Sequence, residues 1–146
     1  LFGVDGARYL IARSFPSEND SDVGIERFKE RYNADLANNL GNLISRVSKL
    51  SGGFEKNKEG IELDKKYIEL INKTKFDEAI QMVFDNWIDK SNILLNEKTP
   101  WKLEADSPER KSILDECIAN IQKAITHLLP IMPGLAQDKA ILFPRI

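Results

Sequence analysis

Asn38, Asn42 and Arg46 stand four residues apart, and each carries a planar polar group with more than one hydrogen-bonding atom. Such groups suit the edges of nucleobases, which present paired donors and acceptors. At about 100° per residue the three fall on one side of a helix, with Arg31 and Lys49 nearby, while Leu36, Leu40, Leu43 and Val47 gather on another. The strip runs through poor helix material. Asn38-Asn39-Leu40-Gly41-Asn42 contains a glycine, which costs about 1 kcal/mol relative to alanine in a helix interior, and asparagine also ranks low. Choices that contradict their own element are expected at functional sites. The plainer explanation is that Gly41 permits close helix packing and the asparagines form a solvated face. The residues alone leave both open.

Trp101 is the second candidate. It follows Pro100 and precedes Lys102 in a polar stretch, and an aromatic on a rigid loop beside a cation can stack on an unpaired base. It could equally plug the end of a bundle. The stacking reading gains only if Trp101 and the Asn38–Arg46 strip meet in space. Trp87, by contrast, has helical spacing within an apolar stripe and is expected in the core. His127, the sole histidine, lies among leucines near a helix end and is expected to be a packing residue with its nitrogens satisfied. Cys117 falls on an apolar stripe and reads as a small buried hydrophobe. No glycine-rich phosphate loop, nucleophile elbow or His-Glu-x-x-His pair occurs, so the chain is not expected to be an enzyme by itself.

Helices must position these residues. Asp5 is expected to cap a first helix carrying Tyr9, Leu10 and Ile11 that stops before Phe15-Pro16, and Ser17 to Asp22 is a polar loop. A long helix then runs from about Asp22 to Leu50, its apolar positions Ile25, Phe28, Tyr32, Leu36, Leu40, Leu43, Val47 and Leu50 recurring every three or four residues. Ser51-Gly52-Gly53 ends it through a left-handed glycine. A shorter helix follows at about Asp64 to Ile71. Thr74 is expected to cap the next, with Asp77 as its box partner. That helix buries Ile80, Val83, Phe84, Trp87, Ile88 and Leu95. Glu97 to Asp106 is loop, and Ser107-Pro108-Glu109 opens a last long helix that stops before Pro130. A short piece after Pro133 is also possible. The expected fold is all-α, a bundle of about five helices.

The 146 residues suit one domain, and 42% hydrophobic with 30% charged residues is ordinary for a folded chain. No apolar run approaches the roughly 20 residues needed to cross a bilayer, and one cysteine suits a reducing cytoplasm. The missing initiator methionine suggests a start inside a longer chain. A net charge of −2 argues against gripping long stretches of phosphate backbone, DNA included, because counterion release drives that binding. Any nucleic-acid role must use a small patch that reads bases.

Arg31 to Arg46, RYNADLANNLGNLISR, closely resembles the anticodon-domain helix of methionyl-tRNA synthetases. Gly3-Val4-Asp5-Gly6-Ala7-Arg8-Tyr9 resembles the segment that follows the family's second ATP-site signature. Thr99-Pro100-Trp101-Lys102-Leu103 resembles its Pro-Trp loop, with Asn92 on a family asparagine position. Leu129-Pro130-Ile131-Met132-Pro133 and Leu142-Phe143-Pro144-Arg145-Ile146 resemble the end of the domain. The resemblance implies a class I synthetase anticodon-binding domain over residues 1–146. It implies a partner, the anticodon loop of methionine tRNA, and a catalytic domain earlier in the same chain that uses ATP and methionine. By resemblance Trp101 stacks on the first anticodon base, cytosine of CAU. Asn42 and Arg46 hydrogen-bond to anticodon bases, Asn38 assists, and Pro100 shapes the loop. The family's ATP-site motifs and zinc-knuckle cysteines are absent, so no catalytic residue, metal or cofactor is expected in this chain. Gly6-Ala7 replaces a bulkier pair, which predicts a looser first helix. Two other readings remain: a helical protein-interaction domain, and the matching domain of a related synthetase.

Overall fold

Apolar residues repeating at helical spacing dictate helices, and helices are what form. The computed structural model describes residues 1–14, 24–137 and 143–146. Helix α1 spans Gly3–Ser14. Next comes one unbroken rod: α2 at Ile25–Arg31, a π-helical stretch at Tyr32–Gly41, and α3 at Asn42–Ser51. Gly52 then turns left-handed at φ 81° and ends the rod as expected. The short α4, Lys65–Asn72, is capped by the Asp64 carboxylate, which accepts from the Lys66 and Tyr67 amides. A second rod consists of α5 at Phe76–Val83, a π-helical turn at Phe84–Ile88, and α6 at Asp89–Lys98. A 3₁₀ turn at Pro100–Lys102 and helix α7 at Pro108–Leu128 follow, then a second 3₁₀ turn at Pro133–Ala136. Among the described residues there is no strand, and no helix is long and apolar enough to cross a membrane. The all-α bundle is the fold expected from the sequence.

One core joins these elements. Leu36, Leu40, Leu43 and Val47 of the first rod are fully buried against Ile80, Val83 and Ile88 of the second and Ile121, Ile125 and Leu128 of α7. Each such side chain contributes roughly 1.5–3 kcal/mol by leaving water. Polar clamps set the outer contacts. The Arg13 guanidinium donates to Asp77 Oδ1 at 2.8 Å and Gln81 Oε1 at 2.7 Å, fixing α1 to α5. Arg8 donates to the carbonyls of Ile131 and Pro130, holding α1 on the segment after α7. The Asn33 amide exchanges two hydrogen bonds with backbone atoms of Ile146.

Four local expectations are corrected. Asp5 lies in the first turn of α1 instead of capping it. Thr74 does not cap α5: it sits at φ 57°, its hydroxyl donates to the Lys73 carbonyl, and Asp77 is engaged by Arg13. Glu97 and Lys98 still belong to α6, because nothing breaks the helix before Thr99. The α1 helix is not loosened at Gly6, which is buried; a Cβ there would lie 2.8 Å from the Tyr32 ring, so the missing side chain lets α1 close onto the first rod. Ile25 and Ile11, both on expected apolar stripes, are exposed. The expected stop before Phe15-Pro16, the Ser17 to Asp22 loop, the rod's start at Asp22, and Leu142 lie outside the described residues.

Candidate nucleic-acid interface

Both halves of the candidate site meet at the same end of the bundle. The first rod supplies Arg46 on α3, and the turn after the second rod supplies Trp101. The Arg46 guanidinium carbon lies 5.6 Å from the centroid of the Trp101 ring, within cation–π range. Trp101 remains 44% exposed, so it does not plug the bundle.

The pedestal under Trp101 is rigid for identifiable reasons. Pro100 is buried at the first position of the 3₁₀ turn. The Lys102 amide donates to the Thr99 carbonyl at 2.9 Å, and Leu103 donates to Pro100 at 3.1 Å. Thr99 itself is left-handed at φ 42°, ψ 59°. For a β-branched residue before proline that conformation is doubly disfavoured, at about 1–3 kcal/mol. The strain folds Pro100-Trp101 sharply back from the end of α6.

Asn38 and Asn42 are exposed, and among the described residues neither side chain makes a hydrogen bond. Arg46 makes one, a long 3.4 Å contact to Asn96 Oδ1. A guanidinium has five N–H donors, so most of its capacity is uncommitted. The structure therefore brings Arg46 and Trp101 together, while among the described residues no contact joins Asn38 or Asn42 to the indole.

The first rod owes its shape here to the π-helical stretch, in which each amide reaches back to the carbonyl five residues earlier. Gly41 shows why glycine is there. A Cβ at that position would lie 2.8 Å from the Leu36 carbonyl oxygen, five residues earlier on the same rod. The glycine serves the wide turn, and not close packing of a neighbouring helix.

Two contacting residues escaped the sequence reading, Asn39 and Asn96. Asn39 donates to Asp89 Oδ1 at 2.9 Å and accepts from Asn92 at 2.6 Å, tying the first rod to α6 below the strip. Asn96 touches Arg46. A signal existed: Asp89, Asn92 and Asn96 are spaced three and four apart, which places them on one face of α6.

The unused chemistry lies elsewhere. His127 is 1% exposed, and its Nε2 accepts from the Asp64 amide at 2.9 Å while Nδ1 faces the Lys123 carbonyl at 2.6 Å. Burial lowers its pKa, so the neutral ring is a structural element, as expected. Cys117 is fully buried, and desolvation pushes its thiol up to about 11, which makes it unreactive. A separate apolar cavity of about 710 Å³ opens between α1 and α4, lined by Ile11, Leu63, Ile68, Ile71 and Phe76 among others.

Comparison with known proteins bears on most of the chain. Residues 1–48 match the family model of class I tRNA synthetases (M). The methionine–tRNA ligase of Clostridium acetobutylicum is 28% identical over 90% of this chain and 23% of its own length. That of Corynebacterium glutamicum is 29% identical over 93% of this chain and 25% of its own. The Ignicoccus hospitalis enzyme is 28% identical over 90% and 26%. No solved structure matches. The chain spans about a quarter of the length of the curated relatives it matches. These matches run through α1, the asparagine-bearing rod and beyond, so the chain is similar to a part of methionine–tRNA ligases, with its first third matching the class I synthetase family model.

Proposed function

We propose that these residues form the anticodon-reading module of a methionine–tRNA ligase and recognise the CAU anticodon of methionine tRNA. The observation that carries this reading is the Arg46 guanidinium lying over a solvent-facing Trp101 ring, with its donors almost unused. Trp101 stacks on the first anticodon base, cytosine. Arg46 and Asn42 hydrogen-bond to base edges, Asn38 assists, and Pro100 holds the loop. A few splayed bases need little positive charge, which suits the net charge of −2.

The parent enzyme joins methionine to tRNA at the expense of ATP, in a catalytic domain that precedes these residues. The apolar cavity beside α1 is a suitable face for that larger part of the chain, since exposed apolar patches mark interaction surfaces. The setting is cytoplasmic protein synthesis.

Titration of the protein with anticodon hairpins, followed by tryptophan fluorescence, tests the reading. Quenching by a CAU loop should be markedly stronger than by a UAU loop. Equal responses that both vanish as salt rises would mean nonspecific electrostatics, and a protein partner for the strip would then be favoured.

A further inference from the structure

Nothing in the resemblance or the strip itself says what fixes the gap between Arg46 and Trp101, which come from different elements. One side chain hydrogen-bonds to the ends of both elements. Arg110, in the first turn of α7, donates from Nη2 to the Leu50 carbonyl at 3.1 Å and from Nη1 to the Leu103 carbonyl at 3.2 Å. Leu50 is among the last residues of α3, one turn beyond Arg46, and Leu103 closes the turn that carries Trp101. The last carbonyls of a helix lack intrahelical partners and carry the negative end of its dipole, so a half-buried guanidinium there is held both by hydrogen bonding and by charge. Arginine suits the task because its rigid fork spans two acceptors at once, whereas a lysine ammonium is a single point.

Arg110 is itself anchored. The Ser107 hydroxyl accepts from its backbone amide at 3.4 Å as the cap of α7, and Pro108 fixes the first turn. The side chain is only partly exposed and engaged on both carbonyls.

We propose that Arg110 is a positioning residue for base reading: by clamping the end of α3 to the end of the Trp101 turn, it sets the distance at which Arg46 overlies the indole. The proposal rests on the anticodon reading for its functional consequence, but the placement of Trp101 can be observed without RNA.

The test uses the protein labelled with 5-fluorotryptophan, its two ¹⁹F resonances assigned by Trp87→Phe and Trp101→Phe. In Arg110→Met, which keeps the stem and loses the donors, the Trp101 resonance should shift or broaden while that of Trp87 stays. Arg110→Lys, restoring one donor, should fall between. Ser107→Ala removes the cap on the Arg110 amide but keeps both guanidinium donors, so it should shift the Trp101 resonance less than Arg110→Met does. Preference for a CAU over a UAU hairpin should drop about tenfold in Arg110→Met, equivalent to about 1.4 kcal/mol. An unmoved Trp101 resonance in a folded Arg110→Met or Arg110→Lys protein overturns the proposal, as does an equal shift in Ser107→Ala. Native protein that does not distinguish the hairpins would overturn the anticodon reading instead, while the RNA-free spectra still decide the role of Arg110.

Discussion

Two regions of this bundle contain nearly the same parts and put them to opposite use. Around His127, a tryptophan, a nitrogen base and a tyrosine pack together: the Trp87 and His127 ring centroids are 4.5 Å apart, those of Tyr67 and His127 4.9 Å. Both imidazole nitrogens have partners, and the Tyr67 hydroxyl donates to the His127 carbonyl. Around Arg46, a tryptophan and a guanidinium again stack, but Trp101 faces solvent and Arg46 holds a single long hydrogen bond. The first region is saturated, so it can only stabilise. The second keeps spare hydrogen-bonding capacity on a rigid support, which is what a recognition surface requires. Residue type does not separate a packed tryptophan from one offered to solvent; the state of their neighbours does.

The sharpest way to break the comparison is to truncate each tryptophan. Trp87→Ala should cost about 3 kcal/mol of stability, the low end for a large aromatic because the site is half-buried. Trp101→Ala should change stability by less than about 0.5 kcal/mol and weaken CAU-hairpin binding by roughly 1–3 kcal/mol. Denaturant titrations and hairpin titrations on both variants check the pair; a strong loss of stability in Trp101→Ala would erase the distinction. Replacing Arg46 by Lys should retain the charge yet lose paired contacts, reducing discrimination between anticodons by about 1–3 kcal/mol. Gly41→Ala should act on stability, with an effect no larger than that. Helix propensity alone predicts stabilisation of about 1 kcal/mol, whereas the Leu36 carbonyl in the way predicts destabilisation of about 1–3 kcal/mol. The sign of the change in thermal midpoint decides whether the wide turn is needed.

The smallest effect concerns pH. Burial depresses the folded-state pKa of His127 below the ordinary value of about 6.5. The unfolded chain therefore binds its proton first on acidification, and stability is full above about pH 6.5 and is lost as pH falls toward the folded value. The thermal midpoint should decline over that window in native protein and decline less in His127→Gln. Identical profiles would mean that His127 is not a neutral, saturated element.

Much of this was legible beforehand, for reasons that differ by residue. The rods follow from apolar repeats such as Leu36, Leu40, Leu43 and Val47, which demand a shared buried face. Ser107-Pro108 announced α7 because a cap and a first-turn proline act locally. Thr74 misled for the complementary reason: its box partner Asp77 was taken by Arg13, far away in sequence. The strip of Asn38, Asn42 and Arg46 was visible as polar planarity on one face, and Gly41 was visible as an anomaly. The π-helical stretch that explains the glycine was not visible, since a wheel drawn at 100° per residue assumes it away. Nor could spacing show that Trp101 would meet Arg46, or that Arg110 would reach both Leu50 and Leu103, because those contacts are made across the bundle.

The proposed stacking of Trp101 on the first anticodon base is tested most directly by a double-mutant cycle. Affinities are measured for native protein and Trp101→Ala, each with a CAU hairpin and with one whose first anticodon position is abasic. Direct stacking predicts that the two losses overlap, with a coupling of roughly 1–3 kcal/mol. Losses that simply add would contradict the account and move the base-reading surface away from Trp101.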